Sequence, residues 1–189
     1  MTASAPASKT PATYDDILAL PEGLNGELID GELIVSPRPA GRHGRSATRL
    51  GVQLGPFDRD PRGEDPGGWI FFFEPELHFG KNVLIPDLAG WRRERQLDFD
   101  RPWFEAAPDW VCEVLSPSTQ RADRLLKLPR YRAAGVGWAW LVQPKDRVIE
   151  VFRGEGDAWV LAASALEEDT VRLPPFEALE LPLSDLWLP

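Results

Sequence analysis

The sequence of 189 residues holds one cysteine, two tyrosines and no apolar run of the length a membrane helix needs. A single cysteine excludes an internal disulfide framework, and Cys112 lies in the apolar run Trp110-Val111-Cys112, the place of a small buried hydrophobe. A reducing, cytoplasmic setting is the expectation. The opening MTASAPASKTPAT is small, polar and proline-containing, without the apolar core of a signal peptide. Residues 1–12 are expected to form a disordered tail, and 13–189 one domain, because domains usually hold about 100 to 200 residues.

Net positive charge is also missing. The formal charge of -9 speaks against a nucleic-acid partner, since phosphate binding is driven by clustered Lys and Arg. The distribution answers that objection. Residues 154–189 hold eight acids and one base, Arg172, a sum of -7, so the rest of the chain is nearly neutral. Residues 36–57 hold Arg38, Arg42, Arg45 and Arg49 and no acid, and residues 121–132 hold Arg121, Arg124, Lys127, Arg130 and Arg132 against Asp123 alone. Two local basic surfaces are expected, with ordinary solvated helix faces as the plain alternative.

What the chain has in quantity is large rings, eight Trp and nine Phe, which suit strands and sheet packing. Nineteen Pro and sixteen Gly divide it into many short elements. The pattern predicts a short helix over 14–20, stopped by Pro21 and Gly23, and a hairpin over 26–35 turning at Asp30-Gly31 and ended by Pro37 and Pro39. Ala47, Leu50, Leu54 and Phe57 recur at helical spacing after His43. Strands follow over 69–73, 77–79, 83–91, 110–115, 138–142, 148–152 and 158–162. A second helix is expected after the caps and first-turn proline of Ser116-Pro117-Ser118-Thr119, kinked by Pro129 and ended before Gly135. The order is helix, three strands, helix, strand, with an N-terminal hairpin and extra C-terminal strands: a mixed α/β (α+β) chain whose closing EALELPLSDLWLP packs as an irregular edge.

Two acids stand out. Glu113 is the one carboxylate inside Trp110-Val111-Cys112-Glu113-Val114-Leu115, where an uncompensated charge costs several kcal/mol, so it must be neutralised, hydrogen-bonded or metal-bound. Asp87 follows the apolar run and proline of Val83-Leu84-Ile85-Pro86. Two acids at the ends of neighbouring strands make an oxygen-lined site suited to Mg²⁺ or Mn²⁺. Asp123 and Lys127, four apart, share a helix face; a lysine aimed at the strand ends would orient water or steady phosphate charge. The plain alternative for that pair is a surface ion pair worth at most ~0.5 kcal/mol.

The stretches GELIDGELIVSPRPAGRHG, IPDL, PDWVCEVLSPSTQRADRLLKLPRYRAAGV and WAWLVQP resemble the Uma-two restriction-endonuclease family, a branch of the PD-(D/E)xK nuclease superfamily, from about Tyr14 to the C-terminus. The resemblance implies a restriction-endonuclease-like core and a Mg²⁺- or Mn²⁺-dependent endonuclease that hydrolyses phosphodiester bonds in DNA. Asp87 matches the Pro-Asp acid and Glu113 the acid of the (D/E)xK motif, both metal ligands, with a backbone carbonyl near Val114. Leu115 stands where the superfamily lysine belongs, and Lys127 on the following helix is its implied substitute. His43 and Glu32 match positions near the family's site, His43 as a contact to water or phosphate. Glu27 and Glu32 read as solvated hairpin acids, Glu76 as an extra candidate ligand, and Tyr131 as packing or a DNA contact.

Two other readings stay open. In one, the fold serves as a catalytically inactive module that binds nucleic acid or a protein, since function resides in sites rather than folds; the displaced lysine and the acidic last third favour that. A two-carboxylate glycosidase needs an aromatic sugar cleft, and Trp138 and Trp140 read more simply as core. A homodimer is expected for cutting duplexes, with the Trp-containing C-terminal tail as an exposed interface.

Overall fold

In the computed structural model, which describes residues 10–37, 41–61 and 66–188, helix α1 (Tyr14–Leu18) leads into the hairpin of β1 (Leu24–Ile29) and β2 (Glu32–Pro37). Asp30 and Gly31 adopt φ of 54° and 82°, the positive pair that a tight two-residue hairpin turn demands. Residues 1–9 of the expected tail, and Arg38 and Pro39, lie outside the described residues. Ala12 at the tail's end is tied down, its N–H donating to Gly31 O at 2.8 Å.

Helix α2 (Gly41–Leu54) buries Ala47, Leu50 and Leu54 on the expected stripe. Strands β3 (Trp69–Phe73) and β4 (Leu77–Phe79) also fall where the pattern puts them. The single strand expected over 83–91 is instead two, β5 (Asn82–Leu84) and β6 (Leu88–Arg92), in different sheets. Pro86 supplies no N–H for a ladder, and Ile85-Pro86-Asp87 crosses from one sheet to the other.

Strand β7 (Trp110–Val114) precedes a helical stretch made of α3 (Gln120–Ala122), a π turn (Asp123–Lys127) and α4 (Leu128–Ala134). The helix thus starts later than expected. Pro117 lies in the turn before it, where Ser116 O accepts the N–H groups of Thr119 and Gln120 at 3.2 and 2.9 Å. The irregularity foreseen at Pro129 takes the form of the π turn just ahead of it, a common response to a missing ladder bond. Gly135, at φ 96°, closes the helix in the left-handed conformation.

Strands β8 (Trp138–Gln143), β9 (Val148–Glu155) and β10 (Ala158–Leu166) complete a six-stranded sheet of order β10-β9-β8-β7-β6-β3. Within it β3, β6 and β7 are antiparallel, and β7 runs parallel to β8 after the helical crossover. That is the predicted helix, three strands, helix, strand. The second sheet, of order β2-β1-β5-β4, takes the hairpin and the two short strands.

Alternation along the large sheet sorts its residues into two cores. Trp110, Cys112 and Val114 with Trp140 and Val142 face α2 and the C-terminal segment; Val111 with Ala139 and Leu141 face the small sheet and α4 through Ile29, Leu84, Leu128 and Tyr131. A strand buried on both faces reads as a continuous apolar run for this reason, and Glu113 falls on the second face.

The C-terminal segment packs back onto the domain as expected, but as a strand and turn that are buried rather than as an irregular, exposed edge. After β11 (Thr170–Val171), strand β12 (Leu181–Pro182) and a 3₁₀ turn (Leu183–Leu186) bury Leu181, Leu183, Leu186 and Trp187 against α2. Ser46 Oγ donates to Leu186 O at 2.8 Å, and Trp187 Nε1 to Glu167 O at 2.6 Å. Trp187 is therefore part of the core rather than the exposed side chain expected of the tail. Among the described residues no helix is long and apolar enough to cross a membrane.

Candidate active site

The crossing from the small sheet to the large one places the acids. Leu88 pairs with Cys112 in the antiparallel register of β6 and β7, which sets Asp87 opposite Glu113. Asp87 Oδ2 accepts the N–H of Val114 at 2.7 Å, and Oδ1 stands 3.1 Å from His43 Nε2 on α2. The crossing's own backbone is held by the site: Ile85 N–H donates to Glu27 Oε1 at 2.7 Å, and Ile85 O accepts from Lys127 Nζ at 2.9 Å.

Glu113 is 3% exposed, and its Oε1 takes two donors, Lys127 Nζ at 2.9 Å and the Tyr131 hydroxyl at 2.5 Å. Lys127, equally buried, also contacts Glu27 Oε1 at 2.9 Å and Asp123 Oδ1 at 3.8 Å. These groups line a cavity of about 270 Å³ that includes Asp87, Glu113, Lys127, His43, Glu27 and Asp123. The sequence candidates Asp87, Glu113, Lys127 and His43 thus converge on one place.

Electrostatics there are one-sided. Burial pushes the Glu113 carboxyl well above its usual range, with Lys127 opposing and Asp123, Asp87 and Glu27 adding to the rise. Burial likewise lifts Asp123 to about 6, against Lys127 and a hydrogen bond from Thr119. For Lys127 burial works against the ammonium, but Glu113, Glu27 and Asp123 outweigh it and hold the amine well above its ordinary value. Tyr131 is raised by burial and then by Glu113. Cys112 is raised by burial, which makes it a poor nucleophile.

The rise at Asp123 fixes a pH dependence. A carboxyl with a raised folded pKa favours folding while protonated, a contribution present at acid pH and lost as pH climbs through about 6. The metal-free protein is expected to lose about 1 kcal/mol between pH 5 and 7 from this group, a few degrees in melting temperature. Thermal melts of wild type and Asp123→Asn should differ in slope over that interval; parallel slopes refute the assignment.

Other expectations are corrected. Glu27 is no solvated hairpin acid: it projects from β1 into the site and binds Lys127 and the Ile85 N–H. Glu32, at the start of β2, is exposed, as a solvated hairpin acid should be. Glu76 does not join the residues that line the cavity; its Oε1 accepts the Tyr14 hydroxyl at 2.8 Å and stands 2.6 Å from His78 Nε2. Tyr131 neither merely packs nor faces solvent, because its hydroxyl binds Glu113. Asp123 and Lys127 are both buried rather than a surface pair. Both basic runs are partly neutralised within the fold, Arg49 by Asp185, Arg124 by Glu150 and Arg130 by Asp30, while Arg132 donates to Gly156 O and Val136 O. Arg45 and Arg121 are exposed, close in sequence to the cavity-lining His43 and Ala122. The sugar-cleft reading loses Trp140, which is buried with its Nε1 on Pro174 O at 2.7 Å.

The residues fit a hard divalent cation by donor type and charge. Four carboxylates, Glu27, Asp87, Glu113 and Asp123, face one ammonium and one imidazole, a surplus of negative charge that Mg²⁺ or Mn²⁺ would offset. Each carboxylate oxygen has about two acceptor sites, so bonds from Val114 and His43 leave Asp87 able to ligate. Among the described residues no three His, Cys, Asp or Glu already stand in a ligating group.

A protein-family model described as "Uma2: Putative restriction endonuclease" matches residues 11–184. A solved structure titled as a "putative nuclease belonging to DUF820" from Anabaena variabilis superposes with a TM-score of 0.71 at 24% identity, covering 93% of this chain and 97% of that one. No curated protein matches.

Proposed function

Because the chain belongs to the Uma2 family, we propose that it is a metal-dependent nuclease that hydrolyses phosphodiester bonds in DNA, with Asp87 and Glu113 as ligands of Mg²⁺ or Mn²⁺. The observation that carries this is the register of β6 and β7, which sets two acids side by side at a cavity crowded with carboxylate. The backbone carbonyl of Val114 would complete the protein's share of ligands. Bound there, the cation supplies Lewis acidity toward the phosphate and lowers the pKa of water.

The chain's own groups do the rest. Val114 N–H and His43 fix the two oxygens of Asp87. Lys127 keeps positive charge beside Glu113 and Glu27 and steadies the charge that develops on the phosphate. His43, at the cavity wall, acts through Asp87, beside which its Nε2 stands.

Cleavage of duplex, single-stranded and branched DNA in Mg²⁺ and in Mn²⁺, by wild type and Asp87→Asn, tests the reading. Asp87→Asn is expected to lose about 10²-fold or more, and activity untouched by the substitution removes Asp87 from the site. One observation favours the inactive-module reading, the neutralisation of the basic runs by internal acids. DNA binding without cleavage, together with no heat of metal binding, would decide for it.

A further inference from the structure

Asp123, Lys127 and Tyr131 recur every four residues along a helical stretch that crosses the second face of the large sheet. In an α-helix a step of four oversteps the turn by about 0.4 residue, so the drift accumulates. A π turn, whose bonds run i to i+5, takes more residues per turn, and there the same step falls short. Asp123 to Lys127 is spanned by the π turn and Lys127 to Tyr131 by α4. The two deviations offset, and all three side chains are turned inward and buried.

The consequence is at Glu113. Lys127 Nζ and the Tyr131 hydroxyl both converge on Oε1, at 2.9 and 2.5 Å, while the residue lines the cavity. Tyr131 itself is fully buried and its hydroxyl has this one acceptor. A carboxylate with one oxygen tied by two donors has the other left for a ligand.

We propose that Tyr131 is a positioning residue which, with Lys127, reserves Oε1 of Glu113 so that the carboxylate presents only Oε2 to a cation. This rests on the metal-dependent reading above. One-oxygen ligation suits the compact octahedral shell of Mg²⁺ or Mn²⁺, whereas Ca²⁺ gains from a carboxylate free to bind through both oxygens. Tyr131 thereby sets the choice of ion as well as the strength of binding.

The test is calorimetric titration of wild type and Tyr131→Phe with Mn²⁺ and with Ca²⁺, alongside thermal melts. Tyr131→Phe is expected to weaken Mn²⁺ binding by about 10- to 100-fold and to lower the Mn²⁺-to-Ca²⁺ affinity ratio; a purely structural role would not move that ratio. Wild type that binds Mn²⁺, with a variant of unchanged affinity and ratio, overturns this inference alone. Wild type that binds neither ion overturns the metal-dependent reading, and this inference with it. A crystal structure of wild type with Mn²⁺ gives a reading independent of how the variant folds. One Glu113 oxygen on the metal, with Oε1 still bound by Tyr131, supports the inference, and both oxygens on the metal overturn it.

Discussion

Exchanging Glu113 for glutamine is expected to abolish cleavage and, in the same protein, to raise the melting temperature of the metal-free form at pH 8. The loss of activity follows from removing a ligand charge, about 10²-fold or more. The gain in stability follows from burial. Ionised Glu113 bears the desolvation of a side chain 3% exposed beside three other acids; protonated Glu113 requires proton uptake on folding at a pH where the unfolded group is charged. Glutamine avoids both and keeps an acceptor oxygen for Lys127 and Tyr131.

Removing one partner of a buried pair usually destabilises by several kcal/mol, because the other is orphaned. Here Lys127 retains Glu27, Asp123 and Ile85 O, so the usual penalty is largely absent. The gain is expected to be largest at pH 8, where the unfolded carboxyl is ionised. It shrinks toward pH 4, where the unfolded carboxyl is protonated as well. Melts of both proteins across that range check it. A Glu113→Gln protein that melts lower than wild type at pH 8 shows that the site is not strained by its carboxylates.

How far the sequence revealed this arrangement depended on the distance over which each signal acts. Asp30-Gly31 announced its turn because the turn is local. The stripe of Ala47, Leu50 and Leu54 announced α2 because one helix face meets one core. Glu113 was legible as the one acid in a strand buried on both sides. Asp87 was legible in position, but the break of residues 83–91 into two sheets was not. Val83-Leu84 and Leu88-Ala89 read alike whichever sheet receives them, and only the fold shows Pro86 at the crossing.

Glu27 reads as solvated in sequence because an acid one residue from a hairpin core differs from a solvated one only through its partner, Lys127, one hundred residues on. The basic runs hide their partners in the same way. Arg49 finds Asp185, and Arg130 finds Asp30, so runs that look positive in sequence are partly neutral in space, and the acidic C-terminal segment supplies one of the counter-charges. The signal that was available for Tyr131 is its four-residue step from Lys127, which placed it one turn away without telling which atom it would meet.

Lys127→Met is expected to produce the largest fall in stability of any single substitution in the site, and the size of the fall decides what Lys127 is. A surface ion pair with Asp123 would be worth at most ~0.5 kcal/mol. As a buried ammonium touching Glu113, Glu27 and Ile85 O, its removal leaves three acids near one another without a cation, a loss of about 3–5 kcal/mol. That lowers the melting temperature by roughly 6–20 °C in a chain of this size. The loss should lessen toward pH 5, where Asp123 and Glu113 take up protons. It should be recovered in part by Lys127→Met with Glu113→Gln, since removing a carboxylate replaces the missing counter-charge. Urea denaturation of the two single variants and the double variant measures the coupling. Strictly additive effects would show that Lys127 and Glu113 do not depend on each other. Glu113→Gln already removes a ligand charge, so the double variant speaks to stability alone, and a recovery larger than the gain from Glu113→Gln by itself would assign Lys127 the part of counter-charge to Glu113.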